Sequence, residues 1–284
     1  MKRLLVIFHI YYHDQIDYFI DKLTNINNCD WDLMVTWSQR DEATESKLKE
    51  FRKDVRFMEV ENVGYDVWPF IKAIRTIDIS EYEYILKIHT KNVDTGNIHK
   101  LNGLRLQGES WRNTLVDSLL KSRSHFTKCL DAFEDPKTGL VCSYEMYTSL
   151  SHKRAEDRHL LDSEEARIGI TEPGHHFCAG TMFIVRSRCL EKIRKARLDA
   201  GMWGLAKSHS NGSLAHVYER IFGTAVKDSG YIIKRIPTYT ISSSRVYTHK
   251  HISPLFKFLV NVDYYLINGE RRKHLVLLGQ KFPL

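Results

Sequence analysis

Apolar and polar positions along the first third of this chain follow two periods that take turns. The run "RLLVIFHIYY" is apolar almost throughout, as expected of a strand buried on both faces of a parallel sheet. In "HDQIDYFIDKLTNI", Ile16, Phe19, Ile20, Leu23 and Ile26 recur at helical spacing. "WDLMVTW" predicts a second strand, "ATESKLKEFRKD" a charged amphipathic helix and "VRFMEVEN" a third strand. "DVWPFIKAIRTI" predicts a helix with Pro69 in its first turn, where the missing N–H costs little. "YEYILKIHTK" predicts the fourth strand. Such alternation is the signature of an α/β fold with a doubly wound, mostly parallel, Rossmann-type sheet and helices on both faces.

The regularity then fades. "GESWRNTLVDSLLKS" predicts a helix with Trp111, Leu115, Leu119 and Leu120 inward, and "GLVCSY" a short strand. The polar stretch "SLSHKRAEDRHLLDSEEARIGITEPGHH" predicts an excursion that is helical only in part. "FCAGTMFIVR" predicts one buried strand, and "SRCLEKIRKAR" and "SLAHVYERIFGTAV" predict helices. From Tyr231 the chain becomes basic and aromatic with little acid. The division expected is therefore an α/β domain over 1–230 and a helical appendage over 231–284. Within it "SPLFKFLVNVDYYLI" reads as an amphipathic helix, for which a bilayer interface, a packed position or an oligomer contact are all open.

Composition narrows the class. At 284 residues, 43% hydrophobic and 27% charged, the chain can bury a full-sized core and is not a disordered tail. The formal net charge of +7 suits an anionic partner: a nucleotide, a phospholipid surface or nucleic acid. Nucleic acid is not expected, because the aromatic residues do not group as stacking platforms beside basic stripes. Five scattered cysteines form no CxxC pair, which fits reduced thiols in a cytosolic protein. The start "MKRLLVIFHIYYHD" reads as a first strand and not a signal peptide, and no apolar run is long enough to predict a transmembrane helix.

In an open α/β sheet ligands bind beyond the carboxyl ends of the strands, so the last residues of each strand are the candidates. After strand one come His9, Tyr11, Tyr12, His13 and Asp14, whose rings suit a base or sugar as well as aromatic packing. After strand three, Asn62 and Gly64 suit a tight loop, and Asp66 is either a helix N-cap or an acceptor for sugar hydroxyls. At the end of strand four, Lys87, His89, Thr90 and Lys91 gather donors where a buried ammonium requires an anion. A fourth group comprises His175, His176, Ala179, Gly180, His216, Glu219 and Arg220, the last three within one helical turn or so. There is no Walker loop, GxGxxG, HExxH or GxSxG pattern. The DxD spelling at Asp30 and Asp32 precedes strand two, so no metal ligands are evident at a strand end.

Taken in order, "FHIYYHD", "ENVGYDVWPF", "YILKIHTK", "SWRNTLVDSLL", "FCAGTMFIVR" and "GSLAHVYERIF" resemble the rhamnan synthesis protein F family from about residue 5 to 230. The resemblance implies a GT-A-like fold and a bacterial glycosyltransferase of polysaccharide or O-antigen assembly. It would act on the cytoplasmic face of the cell membrane as a peripheral protein. The donor implied is dTDP-rhamnose or a UDP-sugar, and the acceptor a polyprenyl-diphosphate-linked glycan. By the matching blocks, His9, Tyr11, Asn62, Gly64, Asp66, Lys87, His89, Thr90 and Lys91 would bind donor. Trp111, Arg112, His176, Gly180, Thr181 and His216 would face the acceptor. Glu219 and then Asp66 are the candidate bases, with His89 assisting the leaving group. GT-A enzymes commonly end strand four in DxD; here that position reads "KIHTK", which implies that cations replace the metal and that no cofactor is essential. One departure is Asn211 before Gly212, where relatives are expected to carry Asp-Gly.

Overall fold

Seven strands form the sheet that carries the site. The structure is a computed structural model that describes residues 3–94, 96, 98–149, 155–204, 213–254, 260–267, 270–278 and 280–283. The first four strands are β1 (Arg3–Ile10), β2 (Asp30–Trp37), β3 (Arg56–Glu59) and β4 (Tyr84–His89). After a small hairpin, β5 (His99–Leu101) and β6 (Leu104–Leu106), come β7 (Thr138–Ser143), β8 (Tyr147–Ser149), β9 (His176–Cys178), β10 (Phe183–Arg186) and β11 (Ile232–Ile236). The main sheet has the order β11-β7-β10-β4-β1-β2-β3. Helices α1 (Ile16–Leu23), α2 (Glu42–Phe51) and α3 (Val67–Thr76) return the chain between the first four strands, as the alternating pattern predicts. Leu4 to Phe8 are at most 1% exposed, because helices cover both faces of β1.

β10 breaks the parallel rule, running antiparallel to both β4 and β7. The predicted single strand "FCAGTMFIVR" is in fact two. β9 pairs with β8, and a turn at residues 179–182 then feeds β10 into the main sheet. Gly180 and Thr181 both have positive φ, +82° and +54°, a conformation that no extended strand contains. The remaining helices of this part are α4 (Gly108–Leu120), α5 (Arg123–Asp131), α6 (Ala155–Arg167), α7 (Glu191–Lys195) and α8 (Leu214–Asp228). α6 occupies the polar stretch expected to be only partly ordered, with Arg167 and Glu164 both bonded to the Tyr218 hydroxyl. Residues 150–154 of that stretch lie outside the described residues.

The chain divides into two units. The first comprises 1–97 and 107–238, the second 98–106 and 239–284. β11 thus belongs to the first unit as an edge strand, although the sequence change at Tyr231 placed it in the appendage. Glu145 fixes that boundary: its buried carboxylate accepts from the Thr238 N–H and hydroxyl, both at 3.1 Å. In the second unit, α9 (Thr240–Tyr247) runs into a wider turn at Thr248–Ile252. The β5–β6 hairpin lies hard against that turn, since a Cβ on Gly103 would come within 2.8 Å of His249. β12 (Val260–Ile267), β13 (Glu270–Leu277) and β14 (Gln280–Pro283) then form an antiparallel sheet. The expected amphipathic helix over "SPLFKFLVNVDYYLI" is therefore corrected: its second half is a strand, and residues 255–259 lie outside the described residues. β-branched and aromatic residues favour that state, and the Asn268-Gly269 pair between the two strands is a strong hairpin cue.

Candidate functional site

Asp66 follows β3 and stands first before α3, yet its side chain caps nothing. Two residues of left-handed backbone, Gly64 (φ +62°) and Tyr65 (φ +53°), deliver it to the carboxyl end of β4 instead. A Cβ on Gly64 would come within 2.8 Å of the Trp203 ring and 2.9 Å of Trp68, so only glycine fits this approach. Asp66 Oδ2 accepts from Lys87 Nζ at 2.6 Å and from the Thr181 hydroxyl. Lys87 also donates to that hydroxyl at 2.8 Å, which closes a triangle. On the other oxygen, His89 Nε2 stands at 3.2 Å and Lys91 Nζ at 3.7 Å. Lys87, His89 and Lys91 thus converge on one carboxylate, as their two-residue spacing predicts.

Thr181, too, is delivered by left-handed backbone, after Gly180. A second pair of positive-φ residues therefore flanks the same cluster, and strain of this kind concentrates where function over-determines the geometry. Glu219, on α8, holds the turn by accepting from the Gly180 N–H at 2.7 Å through Oε1. Leu115 of α4 closes the other side, 2.6 Å from where a Gly180 Cβ would sit.

Electrostatics follow from burial. The side chains of Lys87 and His89 are 1% and 2% exposed, those of Asp66 and Lys91 13% and 21%. Burial on its own would raise the Asp66 carboxyl, but the surrounding cationic groups outweigh it and hold Asp66 well below the usual carboxylate range. Burial lowers Lys87 despite Asp66. Burial also lowers His89 well below an ordinary histidine and His9 to about 4. Two lysines thus face one carboxylate, while burial favours the neutral form of the His89 and His9 rings, and by formal count the cluster carries one positive charge.

The other predicted residues divide. His9 pairs in register with His89, and its Nδ1 meets the Thr36 hydroxyl at 3.0 Å. Thr90 uses its hydroxyl to accept from the Tyr11 and Tyr12 N–H groups at 2.9 and 3.1 Å, clamping the loop after β1. Tyr11 is 43% exposed beside that clamp, and Asn62 is exposed in the loop after β3. His216 meets the Ser213 hydroxyl at 2.7 Å and lies edge-on to Tyr65, while Arg220 donates back to the His216 carbonyl. Arg112 does not join the cluster: its guanidinium covers the Tyr18 ring at 3.9 Å. Trp111 is half-buried one residue before it on α4. His176 is stacked on Tyr147 in a separate cleft of about 300 Å³, beside Gly223 and Lys227 of α8. Asn211 and Gly212 lie outside the described residues. Sequence reasoning missed Gln15, which brackets the Lys91 backbone with both ends of its amide and sets the loop after β4. Its only signal was a polar residue one helical turn after strand one.

Asp30 and Asp32 begin β2, at the opposite end of the strand from the cluster. Among the described residues no group of three or more His, Cys, Asp or Glu side chains is arranged to hold a metal ion.

The fold and site define a doubly wound α/β protein with an ion cluster buried at the carboxyl ends of its parallel strands. The model of rhamnan synthesis protein F matches residues 1–231, and the chain belongs to that family. The uncharacterized protein WxcX of Xanthomonas campestris pv. campestris is 27% identical over 179 residues. These are 62% of this chain and 24% of WxcX, so the chain spans about a quarter of the length of the curated relatives it matches. Among solved structures, S. aureus TarS 1-349 covers 84% of this chain and 59% of its own at 14% identity, with a TM-score of 0.43. Galactosyltransferase LgtC, in complex with donor and acceptor sugar analogs, covers 80% and 72% at 12% identity, with a TM-score of 0.37.

Proposed function

We propose that the protein is a GT-A-like glycosyltransferase. It moves rhamnose or a related hexose from dTDP-rhamnose or a UDP-sugar to a polyprenyl-diphosphate-linked glycan at the cytoplasmic face of the cell membrane. The observation that carries this reading is the net positive cluster at the tip of β4 in a chain of the rhamnan synthesis family. Lys87 and His89 are satisfied or enclosed within the protein, so Lys91 and the donors around Tyr11 and His13 are what a nucleoside diphosphate would meet. Asp66 fixes the direction of both lysines and of the His89 ring.

The reaction is displacement at the anomeric carbon. The acceptor hydroxyl oxygen bonds to C1 as the bond from C1 to the diphosphate oxygen breaks, and the hydroxyl proton passes to a carboxylate. Asp66 is poorly suited to that proton, since both oxygens are engaged and its carboxyl is held well below the ordinary range. Glu219 engages one oxygen only, and among the described residues its second carries no hydrogen bond. Glu219 is therefore the base in this reading. Negative charge building on the departing diphosphate falls to Lys91 backed by the cluster, an electrostatic term of several kcal/mol in enzymes of this kind, about 3 per well-placed donor.

The test is to incubate the protein with a panel of nucleotide sugars, with and without EDTA, following thermal stabilisation and nucleoside diphosphate release. At least one nucleotide sugar is expected to stabilise the fold and to be turned over in EDTA. Stabilisation by none would overturn the donor site, and loss of all turnover in EDTA would overturn the metal-independent mechanism. Lys91→Ala is expected to weaken nucleotide binding roughly tenfold with an unchanged melting temperature.

A further inference from the structure

The chain's charge is not shared between its two units. Residues 98–106 and 239–284 contain nine lysines and arginines against two acids, Asp263 and Glu270. That is a formal +7, the whole net charge of the chain, and the first unit is neutral overall. Exposed apolar side chains follow the same division. Of nine large ones among the described residues, six belong to the second unit: Ile98, Tyr247, Ile252, Leu277, Leu278 and Phe282.

The three-stranded sheet brings several of these together. Leu275 and Leu277 are two apart on β13 and share a face, and Phe282 on β14 lies opposite Leu275. Leu278, at the turn into β14, is 66% exposed and has a φ of +49°, unusual for a bulky residue. Arg271, Arg272 and Lys273 lie on β13 itself, and Lys281 on β14 pairs with Val276. Leu277, Leu278 and Phe282 are thus exposed on strands whose sequence is basic.

We propose that this second unit docks on an anionic bilayer surface, with the β13–β14 turn entering the headgroup layer. A unit of formal charge +7 with exposed aliphatic side chains matches anionic headgroups over hydrocarbon on both counts. Nucleic acid would match the charge and leave the leucines without a counterpart, since its recognition relies on phosphate contacts and ring stacking. A second copy of this unit would set +7 against +7. Among the described residues no helix is long and apolar enough to cross a membrane, so the contact proposed is one of surface docking. It does not depend on the transferase reading, and its test contains no nucleotide sugar.

The full-length protein is sedimented with phosphatidylcholine vesicles and with vesicles in which about a third of the lipid is phosphatidylglycerol, across a salt series. Binding is expected to the anionic vesicles only and to weaken as salt rises. Neutralising Arg271, Arg272 and Lys273 to Gln should reduce the partition coefficient about a hundredfold, at roughly fivefold per charge. Leu278→Asp alters an exposed turn, so it should keep the wild-type melting temperature while lowering anionic-vesicle binding on the order of tenfold. Absence of vesicle binding, equal binding to both vesicle types, or full binding by folded Leu278→Asp would each overturn the proposal. So would tighter binding to a single-stranded oligonucleotide than to anionic vesicles, or self-association that Leu278→Asp abolishes.

Discussion

Asp66 decides the chemistry of the site because two lysines and an imidazole converge on its carboxylate. Replacing it by Asn would leave Lys87 buried without a counter-ion. Asp66→Asn is expected to cost about 3–5 kcal/mol, read by urea unfolding, and Lys87→Met in the same chain should restore much of it. A double variant no more stable than Asp66→Asn would show that the pair is not coupled. His9 adds a pH dependence with a definite sign. Its unfolded pKa lies near 6.5 and its folded pKa at about 4, so over that window the unfolded chain binds more protons. Stability should fall as pH drops from about 6.5 to about 4, by up to roughly 3 kcal/mol from this site. His89 acts in the same direction, and the stability that Asp66 adds is lost at still lower pH, as its depressed carboxyl protonates. His9→Asn should flatten the profile in denaturation experiments run between those limits; an unchanged slope would place the titration elsewhere.

α8 shows how an element's placement outweighs its propensity. Glu219, Gly223 and Lys227 recur every four residues and form one stripe, against which the segment from Gly174 to Gly180 descends. A Cβ on Gly223 would stand 2.2 Å from the His176 carbonyl oxygen, which is backbone and cannot move aside cheaply. Helix propensity favours Gly223→Ala by about 1 kcal/mol, whereas overpacking costs about 1–3. Packing wins, and the variant should be destabilised in urea titration; a stabilised variant would mean the helix is not seated so closely. The helix itself was legible from its periodicity. The turn that splits "FCAGTMFIVR" was not, because Gly180 looks like a close-approach glycine in a strand and only its φ shows the reversal. Arg112 likewise reads as a site residue in sequence, but α4 turns it onto Tyr18 of α1, a choice made by helix packing.

For the whole molecule, the order of the first four strands was legible because each burial period is local and the crossovers between them are short. The insertion of β10 antiparallel beside β4 depends on pairing between residues nearly 100 apart, which no local pattern records. The division of the chain into units falls a few residues after the change of composition at Tyr231 for a similar reason: β11 is basic in sequence but pairs with β7. A chain ending at Thr238 should keep its sheet, since Glu145 already holds Thr238. It would lose five of the seven net positive charges. It is expected to unfold cooperatively and to leave a cation-exchange resin at markedly lower salt. Loss of cooperative unfolding would show that the second unit is needed for the first to fold.

By itself the sequence determined the doubly wound α/β class, the strand tip on which Lys87, His89 and Lys91 gather, and the family to which the chain belongs. Periodicity and spacing are properties of neighbouring residues, so these could be read directly. Only the tertiary structure decided that the anion satisfying the cations is Asp66, brought by the left-handed backbone at Gly64 and Tyr65. It also decided that Thr181 closes the cluster from a reversed turn, and that the basic C-terminal segment ends in a sheet. Each of these depends on which distant backbone approaches which side chain, and burial, which makes the unpaired alternatives costly, selects among them.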